Sequence, residues 1–263
     1  MANSSIHNGG SSQDLPALLL VGGMGTRLRP VISSTPKPLA PVGDVPFLQL
    51  LVLQLRSQGI RRLVMCTGFQ ADQVKNEFGD GRKWDVSIEY SNEASPLGTA
   101  GAIKLAAGFL SQASNFLVMN GDSFLELDFR ELIRFHEAHH GLATVAVRRV
   151  KDAARYGAVH MDGQNRIVRF CEKMGNPEPG LINGGVYVFS REVLRHIPEG
   201  PVSLEKDVLP GLLEHAIFAL EQSGMFIDIG TPEDYARAQS LCDSLSQAAT
   251  SGTSSGSPEQ LHH

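Results

Sequence analysis

Short, almost unbroken apolar runs alternate with longer amphipathic stretches through the middle of the chain, between two polar ends. Leu18-Leu19-Leu20-Val21 reads as a buried strand, and further strands are expected at Arg62 to Cys66, Val86 to Tyr90 and Phe116 to Asn120. Pro46 to Gln58 carries Phe47, Leu50, Leu51, Leu53 and Leu55 at helical spacing, with Gly59 as its stop. Further helices are expected at Ala71 to Phe78, Thr99 to Leu110 and Leu127 to His139. This β-α-β-α rhythm predicts an α/β fold, a Rossmann-like, mostly parallel sheet with helices on both faces. The second half is different. Ala143 to Arg149, Gly157 to Asp162, Ile167 to Glu172 and Asn183 to Phe189 are closely spaced strands, with a hairpin turn at Gly163-Gln164. They predict a smaller, partly antiparallel lobe over the mouth of the sheet.

The ends read differently again. Residues 1–14 and 244–263 are rich in Ser, Gly, Asn and Thr, too polar to bury enough surface to offset ordering. Both are expected to be disordered tails, leaving 15–243 as one domain.

Composition narrows the function classes. At 263 residues, 42% hydrophobic and 19% charged, the chain has the make-up of a soluble globular protein. A net charge of −5 argues against a nucleic-acid partner. No apolar stretch is long enough to span a bilayer, and no leader is evident, so a cytoplasmic protein without a membrane partner is expected. Cys66, Cys171 and Cys242 lack metal-ligand spacing and are expected to be buried, reduced thiols. The nine histidines show no ligand spacing either.

The chemistry concentrates where the first strand ends, at Gly22-Gly23-Met24-Gly25-Thr26-Arg27-Leu28, with Thr35-Pro36-Lys37-Pro38 following. Closely spaced glycines let backbone N–H groups approach an anion without Cβ obstruction. Arg27 adds a planar fork of donors and Lys37 a compact charge, together suited to a triphosphate. Neither familiar phosphate loop fits. A P-loop requires Gly-Lys-Ser/Thr, and a dinucleotide fingerprint requires a third glycine where Leu28 stands, with an acidic residue after the second strand.

Two carboxylates also stand out. Asp122 follows Phe116-Leu117-Val118-Met119-Asn120-Gly121 at a strand's carboxyl end, where α/β sheets bind ligands. Asp228 lies among apolar neighbours in Phe226-Ile227-Asp228-Ile229, so it is expected to be buried with a partner. The plainer reading makes Asp122 an Asx turn or helix cap, and Thr231-Pro232-Glu233 simply a helix start.

The motifs together resemble those of the sugar-1-phosphate nucleotidyltransferases, the NDP-sugar pyrophosphorylases. That family opens with G-G-x-G-T-R-L and P-K-P, and the match continues in order from Leu15 to Asp243. The resemblance implies the nucleotide-diphospho-sugar transferase fold and an enzyme that makes an NDP-sugar and pyrophosphate from an NTP and a sugar 1-phosphate. It puts Gly22, Gly23, Gly25 and Thr26 around the nucleotide, Arg27 and Lys37 on its phosphates, and Asp122 and Asp228 on Mg²⁺. Glu93-Ala94-Ser95-Pro96-Leu97-Gly98-Thr99 resembles the base-reading segment, giving Glu93, Pro96, Gly98 and Thr99 to the nucleotide. Gly157, Glu172 and Asn183 would meet the sugar, and Lys173 its phosphate.

An ionised Glu93 accepts hydrogen bonds and cannot donate, which suits guanine's two donors and favours GTP. The combination Pro96-Leu97-Gly98-Thr99, Arg155-Tyr156-Gly157 and Leu181-Ile182-Asn183-Gly184-Gly185-Val186-Tyr187 looks most like the D-glycero-α-D-manno-heptose 1-phosphate guanylyltransferases, which serve surface polysaccharide synthesis. Mannose 1-phosphate guanylyltransferases and the uridylyl or thymidylyl enzymes for hexose 1-phosphates are the rivals. A non-catalytic regulatory subunit of the same fold is the alternative from another class. A homo-oligomer is compatible with the sequence but not specified by it.

Overall fold

The computed structural model describes residues 15–252, apart from 24, 29–30, 33–34, 155 and 172–177. The strands are β1 (Ala17–Leu20), β2 (Pro41–Val42), β3 (Val45–Pro46), β4 (Arg62–Thr67), β5 (Ser87–Asn92) and β6 (Asn115–Asn120). After them come β7 (Ser123–Leu125), β8 (Ala143–Val150), β9 (Ala158–Met161), β10 (Ile167–Cys171), β11 (Gly180–Ser190), β12 (Ile217–Gln222) and β13 (Phe226–Asp228). The helices are α1 (Phe47–Ser57), α2 (Ala71–Phe78), α3 (Gly98–Leu105), α4 (Phe129–His139), the short α5 (Leu209–Gly211), α6 (Pro232–Ser240) and α7 (Cys242–Thr250).

The parallel order β5-β4-β1-β6 forms the centre of the sheet. β4, β1 and β6 are apolar on both sides because both faces are covered, whereas the edge strand β5 leaves Ser87, Glu89 and Asn92 exposed. Leu19, Leu63, Met65, Leu117 and Met119 join the core that includes α1, while Leu18, Val64, Cys66, Phe116 and Val118 join the core that includes α3. The antiparallel part grows out of this same sheet rather than sitting apart from it. β11 pairs antiparallel with β6 on one side and β8 on the other, and its start also reaches β9. A bulge at Gly184-Gly185 separates the stretch from Val186, which pairs with both β6 and β8, from the earlier stretch, which pairs with β8 and reaches β9. Gly185 has φ +74, and a Cβ there would lie 3.1 Å from the Asn120 amide.

Two small antiparallel pairs matter for the site. β13 pairs with β7, setting Asp228 opposite Ser123. Helix α1 holds β7 in place from behind. The Gln54 amide donates to the Leu125 carbonyl at 2.7 Å, and Gln58 donates to the Leu127 carbonyl and accepts from the Phe129 N–H.

Three expectations need correction. Residues 244–250 are not a tail, because α7 packs against α1 with Leu245, Ala248 and Ala249 buried along one stripe. Three small or apolar residues at that spacing suffice when a partner helix lies alongside. Residues 1–14 and 253–263 lie outside the described residues. The thiols are free, but Cys66 is the buried one, while Cys171 and Cys242 are half-buried. Burial, reinforced by the Glu93 carboxylate, pushes the Cys66 thiol up to about 12. Finally, α3 stops at Leu105 and continues as a tighter 3-10 turn, Ala106–Leu110.

Candidate active site

The first carboxylate comes from β6 and the second from β13, and β7 joins them. Asp122 lies one residue beyond β6, after Gly121, and its carbonyl accepts the Ile229 N–H at 2.9 Å. The Ser123 hydroxyl lies 3.3 Å from one Asp122 oxygen and 3.5 Å from one Asp228 oxygen, so the carboxylates share a neighbour. The helix-cap reading of Asp122 fails, since Asp128 caps α4 and accepts from the Arg130 and Glu131 N–H groups. The helix start at Thr231 is real, its hydroxyl accepting from the Asp234 N–H.

Lys37 completes the cluster. Its ammonium donates to Asp122 at 2.6 Å, a charge-assisted contact. Burial, and then the neighbouring Asp122 charge, push Asp228 up to about 6, against the pull of Lys37 and the Gly230 N–H. Two carboxylates facing one ammonium leave net negative charge in a half-buried place. That donor set fits Mg²⁺, which takes one or two carboxylates and leaves its other positions to phosphate oxygens and water. Among the described residues, no group of three or more His, Cys, Asp or Glu is placed to hold a metal.

Beside this cluster a cleft of about 340 Å³ is lined by Gly23, Gly25, Arg27, Lys37, Thr99 and Asp122, among others. Arg27 is exposed there, on a 3-10 turn (Thr26–Leu28) anchored by the fully buried Leu28. A neighbouring cavity of about 560 Å³ is lined by Gly22, Gly23, Glu93, Pro96, Gly98 and Thr99. Glu93 approaches the backbone so closely that a Cβ at Gly22 would meet its carboxylate at 2.8 Å. One Glu93 oxygen accepts the Leu97 N–H at 2.9 Å and so folds the loop that precedes α3.

At the start of α3 the N–H groups of Ala100 and Gly101 donate to the Val202 carbonyl. Residues after Gly200 wrap across the helix end and take the donors that the dipole would otherwise present.

The same wrapping brings in residues that sequence reasoning missed. Glu205 lines the smaller cleft and accepts from the Thr99 hydroxyl at 2.8 Å. It also accepts from Tyr187, which in turn accepts from the Asn183 amide at 2.8 Å. Asn183 is thereby tied to Thr99 and the smaller cleft through two side chains. Asn120 lines this cleft and Phe69 the larger cavity. A carboxylate four residues beyond Pro201 carries no motif, so only the contact reveals Glu205. Gly157, with φ +84, immediately precedes β9 and is not among the residues that line either cavity. Glu172 and Lys173 fall outside the described residues, as does Arg155.

Residues 16–244 match the model of the nucleotidyl transferase family. The chain belongs to that family. It is 38% identical over 231 residues to a mannose-1-phosphate guanylyltransferase of Mycobacterium tuberculosis, covering 86% of this chain and 64% of that protein. The mannose-1-phosphate guanylyltransferase catalytic subunit beta of Drosophila pseudoobscura pseudoobscura is 36% identical, with 89% and 62% covered. The chain thus spans somewhat less than two thirds of these relatives. The fold is also that of HddC from Yersinia pseudotuberculosis, solved complexed with GMP-PN. That match has TM-score 0.78 and 32% identity and covers 87% of this chain and 99% of HddC. No described helix of this nucleotidyl transferase family member is long and apolar enough to cross a membrane.

Proposed function

We propose that this chain is a sugar-1-phosphate guanylyltransferase, which joins GTP and a sugar 1-phosphate into a GDP-sugar and releases pyrophosphate. The observation that carries the reading is the meeting of Asp122, Asp228 and Lys37 beside the glycine loop, at the carboxyl ends of β1 and β6. The names of its relatives and the guanine nucleotide in HddC support the guanylyl choice. For the sugar, the motifs favour D-glycero-α-D-manno-heptose 1-phosphate, and the names of the relatives make mannose 1-phosphate the rival.

In this reading a sugar phosphate oxygen attacks the α-phosphorus in line. A new P–O bond forms, the bond to the β-phosphate bridging oxygen breaks, and pyrophosphate leaves with that electron pair. No general base is required, since the attacking oxygen is already anionic, so the work is positioning and charge neutralisation. Arg27 and Lys37 hold the triphosphate and Lys173 the sugar phosphate. Glu172 and Asn183 take sugar hydroxyls, with Gly157 letting the backbone come near. Asp122 and Asp228 would hold Mg²⁺, which when bound neutralises phosphate charge.

Glu93 tests the base. Leu97 claims one acceptor site on the carboxylate, so in Glu93→Gln the amide oxygen stays on Leu97 and the NH₂ turns toward the base pocket. Guanine's donors would then face a donor. kcat/KM for GTP, UTP and dTTP, with heptose and mannose 1-phosphates as acceptors, should show a GTP preference that narrows about tenfold or more in the variant. A wild-type preference for UTP or dTTP would overturn the guanylyl reading. No pyrophosphate release with any pair would leave the regulatory-subunit reading in its place.

A further inference from the structure

We infer that Thr99 is a positioning residue for the sugar side of the reaction, acting through Glu205, rather than a ligand of the nucleotide. The inference rests on the proposed function. Thr99 lines both cavities and so stands where the base pocket and the smaller cleft meet. A threonine hydroxyl has one proton to donate. That proton goes to Glu205 at 2.8 Å, and the oxygen accepts the Leu204 N–H at 2.7 Å. Phosphate oxygens need donors, and this hydroxyl has already given its own to a carboxylate.

From Glu205 the contacts run on to Asn183. The other Glu205 oxygen accepts from the Tyr187 hydroxyl at 3.4 Å, and Tyr187 accepts from the Asn183 amide at 2.8 Å. Tyr187 is fully buried, which leaves its hydroxyl little room to rearrange. The Asn183 carbonyl oxygen accepts the Gly185 N–H at 2.9 Å, so both ends of the amide are held. A second N–H and a second lone pair are left for a sugar hydroxyl. The backbone bonds between Leu97, Ala100, Gly101 and Val202 already fix the two segments against each other. What the Thr99 hydroxyl adds is the direction of the Glu205 carboxylate, and through Tyr187 that of the Asn183 amide.

Two measurements on the full chain separate the roles: calorimetric binding of GTP, and the KM of heptose or mannose 1-phosphate at saturating GTP. Thr99→Val keeps the shape and removes the hydroxyl, while Thr99→Ser keeps the hydroxyl. In Thr99→Val the sugar phosphate KM should rise about tenfold, with the GTP Kd within about twofold of wild type. Thr99→Ser should bring the KM back to within about twofold of wild type. Tyr187→Phe cuts the same line of contacts further along and leaves the Thr99 bonds alone. It should raise the KM equally, and it carries the test if Thr99→Val does not fold. The double variant should lose no more than either single one, because the contacts act in series. A weakened GTP Kd with an unchanged sugar phosphate KM would overturn the inference. So would additive losses in the double variant, or no recovery in Thr99→Ser. A wild type that binds GTP and turns over neither sugar phosphate would overturn the proposed function, and the inference with it.

Discussion

Asp122→Asn and Asp228→Asn are each expected to lower turnover by on the order of 10³-fold or more while the protein stays folded. The amide keeps the shape of the side chain and loses the charge that the cation site requires. The two variants should part company in stability. Asp228 is a carboxylate held above its ordinary range by burial and by Asp122, so removing its charge relieves a repulsion. Melted without added metal at neutral pH, Asp228→Asn should unfold no lower than wild type. Asp122→Asn deprives the Lys37 ammonium of its carboxylate at 2.6 Å and should unfold lower. Rates within a few-fold of wild type at saturating Mg²⁺ for either variant would remove the metal assignment.

Arg27→Ala is the second large effect. Its guanidinium stands exposed in the cleft that Gly23 and Lys37 also line, where the proposed function puts the phosphates. Losing a charge-assisted contact to a developing phosphate charge should cost about 10²-fold in kcat/KM. Arg27→Lys should recover little, because a point charge cannot replace two parallel N–H donors. Melting temperature should not move, since the side chain carries no core packing. Full rescue by lysine would show that only net charge counts at this position.

The central sheet was legible in the sequence because strands covered on both faces become unbroken apolar runs, as at Phe116 to Met119. Helix α1 was legible for its apolar spacing and its Gly59 stop. What stayed hidden depends on contacts between distant segments. α7 carries an apolar stripe too narrow to register until α1 lies beside it. The N–H groups at the start of α3 look free in sequence and are taken by the Val202 carbonyl, a hundred residues further along the chain. Glu205 joins the cleft through the same crossing. Asp122 and Asp228 could be singled out as unusual carboxylates, yet their meeting is made by the β7–β13 pairing, which neither segment announces alone. The continuity of β8 and β11 with the parallel sheet is made by Val186 to Phe189, which pair with both β6 and β8, and an apolar run does not say which neighbours it serves.

The central claim, nucleotidyl transfer at the α-phosphorus, is tested most directly by following label from GTP. With GTP carrying ³²P at the α position, heptose or mannose 1-phosphate and Mg²⁺, the account predicts all transferred label in the GDP-sugar and none in the released pyrophosphate. Label appearing in GMP without a GDP-sugar, or no release of pyrophosphate at all, would contradict it.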